Sequence, residues 1–105
     1  MKPVIVLTTV GAGHDASELA ADLVEKRLAA CVNIVPRIHS VYRWQGNIER
    51  DDEQLLIIKT LDERVAALKD AIFAQHPYEV PELVVIAIDD IGDAYREWLI
   101  GAVRG

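Results

Sequence analysis

The sequence predicts an α+β fold in which an antiparallel sheet of βαββαβ order is followed by one further helix. Short apolar runs rich in β-branched residues alternate with stretches of helical periodicity, which is the first ground for this. The second is Gln45-Gly46-Asn47, a turn signal that joins two long strand-like runs with no helix between them. At 105 residues the chain has room for one hydrophobic core, so residues 1–105 are expected to form a single domain.

Each element has its own local cause. Val4–Val10 reads as strand one, and Gly11-Ala12-Gly13 breaks it. Asp15 followed three residues on by Glu18 is a capping-box signal for helix one, whose apolar stripe is Leu19, Ala20, Leu23, Val24 and Leu28. Cys31 to about Trp44 is a long strand. Pro36 within it lacks an amide donor and demands a bulge or an unpaired edge position. Ile48–Lys59 returns as strand three. Thr60 and Glu63 repeat the capping pattern, and Val65, Leu68, Ile72 and Phe73 give one face of helix two. His76-Pro77 ends that helix, because proline pushes the residue before it out of the helical region. Leu83–Ile88 is strand four. After Gly92, the spacing of Tyr95, Trp98, Leu99 and Ala102 marks a terminal helix. The order is the split-βαβ, ferredoxin-like one, and right-handed crossovers put the first two helices on one face of the sheet.

Such a sheet should alternate polar and apolar residues, since its second face meets water. Val4–Leu7, Leu55–Ile58 and Leu83–Ile86 are instead apolar on both faces. Monomers rarely expose contiguous apolar patches beyond a few hundred Å². The second face is therefore expected to be buried in a homo-oligomer. Hairpin arms of about a dozen residues, against a typical strand of about five or six, reach far enough to touch a neighbour.

With 17 acidic and 11 basic residues the net charge is −6, and no basic cluster interrupts it. That excludes the electrostatic footprint of a nucleic-acid or anionic-membrane partner. Val4–Val10 is too short to span a bilayer. One cysteine, Cys31, excludes an intrachain disulfide and fits a reducing compartment, so the expected location is the cytoplasm.

Among the motifs, Gly11–Ala16 matches G-x-G-x-x-A, but a dinucleotide site needs a parallel βαβ unit that this order does not supply. His39 and Ser40 are strand neighbours that point to opposite faces and form no catalytic pair. Cys31 with His76 as its base would make a hydrolase or transferase, yet no nucleophile signature accompanies them. A buried structural cysteine at the start of a strand is expected instead, and so is no enzyme. Asp51-Asp52-Glu53 lacks the spacing and glycine of a calcium loop. His76–Glu82 is denser: two prolines four apart stiffen a segment bearing His76, Tyr78, Glu79 and Glu82. His76 and Glu79 offer an imidazole and a carboxylate to Cu(II) or another divalent ion, with Cys31 a third possible donor of small contribution. Weak binding is expected and no cofactor is required. Tyr42, Trp44, Tyr78 and Trp98 combine apolar bodies with polar handles, and Glu53 and Lys59 are ionisable groups flanking an apolar strand. These six residues are expected to border a cleft between subunits, where the two charges would satisfy one another.

Five blocks resemble the CutA family of divalent-cation tolerance proteins: LVEKRLAACVNIVP from Leu23, SVYRWQG from Ser40, LIIKT from Leu56, HPYEVPE from His76 and YREWL from Tyr95. They are spread along the chain from Leu23 to Leu99 in the family's order. The resemblance implies a ferredoxin-like protomer, a homotrimer, a shape like the PII signalling proteins and tolerance of divalent metals, copper especially, by binding and not catalysis. It also raises the alternative of a PII-like regulator that holds a small-molecule effector in inter-subunit clefts. Members with a proposed copper site carry a cysteine late in strand one and His-His before Pro-Tyr. Thr8 and Gln75 stand at two of those positions, and only His76 matches.

Overall fold

In the computed structural model, which describes residues 1–105, the elements follow as β1 (Pro3–Gly11), α1 (Ala16–Glu25), β2 (Cys31–Trp44), β3 (Asn47–Leu61), α2 (Val65–Gln75), β4 (Val84–Ala87) and α3 (Asp93–Arg104). The strands form one antiparallel sheet in the spatial order β2-β3-β1-β4, the ferredoxin-like arrangement. Leu19 and Leu23 of α1 and Leu68 and Ile72 of α2 bury against Val6, Val10, Leu56 and Ile58, which share one face of β1 and β3. Each such side chain contributes about 1.5–3 kcal/mol by leaving water.

The other face is only partly covered. Leu61 buries against Leu99 and Val103 of α3, at one end of the sheet. Beyond that end, Ile5, Leu7, Leu55 and Ile57 are half-buried, while Val84 and Ile86 on β4 are exposed. An apolar, incompletely covered face is what the two-sided runs required.

β3 is longer than β1. Pairing with β1 ends at Gly11 opposite Glu53, so residues 47–52 have β2 as their sole neighbour and form an overhanging two-stranded ribbon. The radius of gyration is 14.4 Å and the longest extent 44 Å. A chain of 105 residues packed evenly would have a radius of gyration of about 13 Å, and the excess is the ribbon. Its turn is Gln45-Gly46, with φ of 48° and 83°, the two-residue geometry that matches strand twist. The proline-driven irregularity is present. Val35 faces Leu55 and Ile38 faces Glu53, so Pro36 and Arg37 together oppose Gln54 alone.

The first capping signal behaves as read: the Asp15 carboxylate accepts the amide of Glu18 at 3.0 Å. The second does not. Thr60 still lies in β3, where its hydroxyl donates to the Leu28 carbonyl at 2.8 Å. Asp62 takes over the turn, accepting the amides of Glu63 and Lys2, and a 3-10 turn (Asp62–Arg64) precedes α2. Val24 and Phe73, assigned to core stripes, are exposed at the edges of their helices. Cys31 is half-buried rather than enclosed, because it starts an edge strand.

Candidate functional site

Where the ribbon leaves the sheet, its inner side meets the loop that follows α2. Between them is a cleft of about 680 Å³. The bulge decides which β2 residues face it. Before Pro36 the odd-numbered residues of β2 share a face with Leu55 and Ile57; after it the even-numbered ones, Ile38, Ser40, Tyr42 and Trp44, share a face with Glu53 and Asp51. Tyr42, Trp44, Asp51 and Glu53 thus line the cleft from the ribbon, and Tyr78, Glu79, Val80 and Glu82 line it from the loop.

Glu53 is 7% exposed, and one of its oxygens, Oε2, accepts the Tyr78 hydroxyl at 3.0 Å. Burial first, and the Glu53 carboxylate second, push the Tyr78 phenol up to about 12. Tyr42 donates to Asp51, and chiefly for that reason its phenol is also pushed up to about 12. Gly11 lies beneath this pair: a side chain there would meet the Tyr78 hydroxyl at 3.5 Å.

The loop is held by His76. The Tyr78 amide donates to Nδ1 at 3.1 Å, so the ring proton is on Nε2, which donates to the Thr9 carbonyl at 2.6 Å. The His76 and Tyr78 rings also meet edge-to-face, centroids 4.6 Å apart. Thr8 donates to the Glu82 carbonyl at 2.7 Å and fastens the far end of the loop. Gln54 donates to the carbonyls of Gly11 and His14, so the glycine turn is tied down and is no phosphate cradle.

Four of the six residues expected at a pocket meet here: Tyr42, Trp44, Glu53 and Tyr78. Lys59 and Trp98 do not. Lys59 lies six residues along β3, with its ammonium 5.8 Å from the Tyr95 ring, and Trp98 is on α3 beside Tyr95. The three donors His76, Glu79 and Cys31 are not gathered in one chain either. Cys31 pairs with Lys59 at the end of β3 remote from Glu53, and no group of three His, Cys, Asp or Glu has metal-holding geometry. Sequence reasoning missed Thr9, Ser40, Val41, Asp51 and Val80 as lining residues. The signal for Ser40 and Asp51 was the hairpin register, which places them opposite one another once the bulge is counted.

The family model described as CutA1 divalent ion tolerance protein matches residues 4–102. The chain belongs to the CutA1 family. It is 47% identical over 95 residues to the divalent-cation tolerance protein CutA of Thermus thermophilus, covering 90% of this chain and 92% of that one. To the chloroplastic protein CutA of Arabidopsis thaliana it is 43% identical over 101 residues, 96% of this chain but 56% of the relative, so it spans about half of that longer protein. The crystal structure of CutA1 from Oryza sativa matches with a TM-score of 0.94 at 40% identity, covering 99% of this chain and 95% of that one. CutA1 membership accounts for all five sequence blocks at once. No helix of the chain is long and apolar enough to cross a membrane. One relative is named as chloroplastic and one solved structure, from Archaeoglobus fulgidus, as periplasmic, so members of the CutA1 family are named for more than one compartment.

Proposed function

We propose that the protein is a cytoplasmic homotrimer that serves divalent-cation tolerance by binding at the Glu53–Tyr78 cleft, without catalysis. The observation that carries this is Glu53, a buried carboxylate held by one tyrosine and given no cation by its own chain. Such a group is costly until a positive charge joins it. The cleft itself offers carboxylate oxygens, and the nitrogen that favours divalent copper would come from His76, which holds the adjoining loop without lining the cleft. In one protomer, however, His76 spends both ring nitrogens on the backbone, and a metal must displace one of those bonds. Binding is therefore weak, and a neighbouring copy completes the donor set.

A second reading, a PII-like regulator holding a small effector between subunits, is favoured by the cleft's volume and its aromatic walls. Native mass spectrometry combined with calorimetric titration of Cu(II) tests the proposal. Three subunits are expected, with micromolar or weaker Cu(II) binding that drops about tenfold in Glu53→Gln. Cys31→Ser should match the parent. Equal Cu(II) affinity in the parent and Glu53→Gln would remove the cleft as the metal site, and in the parent and His76→Ala would reduce His76 to a positioning residue.

A further inference from the structure

We infer that the cleft around Glu53 takes up an organic cation, a protonated amine or a guanidinium carried on an apolar frame. The inference rests on the cleft being the binding site, as proposed above. Asp51, Glu53, Glu79 and Glu82 line it, and no Lys, Arg or His does. Glu53 is the anchor. Its Oε2 holds the Tyr78 proton, while Oε1 accepts no hydrogen bond from the protein, and none of the chain's ion pairs involves Glu53.

Carboxylates alone suit the divalent ion proposed above, and three features fit the same cleft to an organic cation. The rings of Tyr42, Trp44 and Tyr78 contribute to the walls, and aromatic faces attract a cation within about 6 Å while covering its hydrocarbon part. Both phenols donate hydrogen bonds to carboxylates, which orients the acceptors without competing for the ligand. The volume of about 680 Å³ lies within the usual range of small-molecule sites, about 300–1,000 Å³.

The same chemistry is available from a second copy. Lys59 is half-buried on the incompletely covered face and has no carboxylate partner. Six residues of strand put it about 20 Å from its own Glu53, too far to pair within one chain. The experiment must therefore separate a free amine from the Lys59 of another copy.

Benzylammonium is the probe and benzyl alcohol its neutral counterpart, with Trp44 fluorescence read in a Trp98→Phe background at fixed subunit count. Saturable binding of benzylammonium alone, at least tenfold weaker in Glu53→Gln, supports a free cationic ligand. Binding that appears only after Lys59→Met supports the same chemistry supplied by the neighbouring copy. Glu79→Gln, on the exposed loop, should weaken the amine two- to fivefold and guards against misfolding of the Glu53 variant. Equal binding of amine and alcohol overturns the inference, as does an affinity in Glu53→Gln within twofold of the parent. No amine binding with or without Lys59 does the same. A mass of one subunit would instead sink the trimer and leave these titrations readable.

Discussion

Tyr42 and Tyr78 keep their protons because a carboxylate holds each of them, and this has a consequence for alkaline stability. A phenol raised from 10 to about 12 binds its proton more tightly in the folded chain than in the unfolded one. The stability it contributes is complete below pH 10 and is lost as pH climbs towards about 12, because the unfolded chain releases protons first. Urea midpoints should therefore fall between pH 10 and 12, and tyrosinate absorbance of the folded protein should retain a late phase. A Tyr42→Phe/Tyr78→Phe double variant should lose that late phase and flatten the slope; an unchanged slope would disprove the assignment. Of the cleft residues, the aromatics were legible in the sequence because rings with polar tips at strand ends need partners. Asp51 was not, because its neighbour Asp52 is the one that pairs outward with Arg37 and His39, and face can be assigned only once register is known.

Among the elements, the hairpin turn makes the sharpest demand on sequence. Gly46 at φ 83° occupies a left-handed position, and Gly46→Ala should destabilise by about 1 kcal/mol or slightly more in denaturant titration. Gln45→Asn should gain a few tenths, since asparagine tolerates the left-handed conformation at φ 48° better. The helices show why one capping signal could be trusted and its repeat could not. Asp15 follows a glycine break that frees the chain to start a helix, whereas Thr60 lies inside a strand whose pairing with β1 runs through Leu61. The same pairing explains why Lys59 does not meet Glu53 within one chain. Glu53 and Lys59 flank one apolar run, but flanking a strand means standing at its opposite ends.

For the whole molecule, the uncovered sheet face and the overhanging ribbon make the same demand, which is company. Leu56 and Ile57 are neighbours that test it, since Leu56 is buried under the helices while Ile57 is on the other face. Leu56→Lys places an unpaired charge in the core and should abolish folding. Ile57→Lys should leave the protomer folded by circular dichroism and lower its mass by light scattering to one subunit. A parent protein with the mass of one subunit at micromolar concentration would refute the assembly. The bulge gives this architecture a mechanical character. From Glu53 to the turn, the ribbon is an arm of six residue steps, about 20 Å, and Pro36-Arg37 is its fulcrum. A rotation of about 10° there would swing the Trp44 end through about 3.5 Å, roughly one van der Waals contact. Two of the cleft's aromatic walls therefore ride on the long end of a lever. The fit of anything held between Trp44 and Tyr78 is set by an angle fixed outside the cleft, at a proline that is not part of its lining.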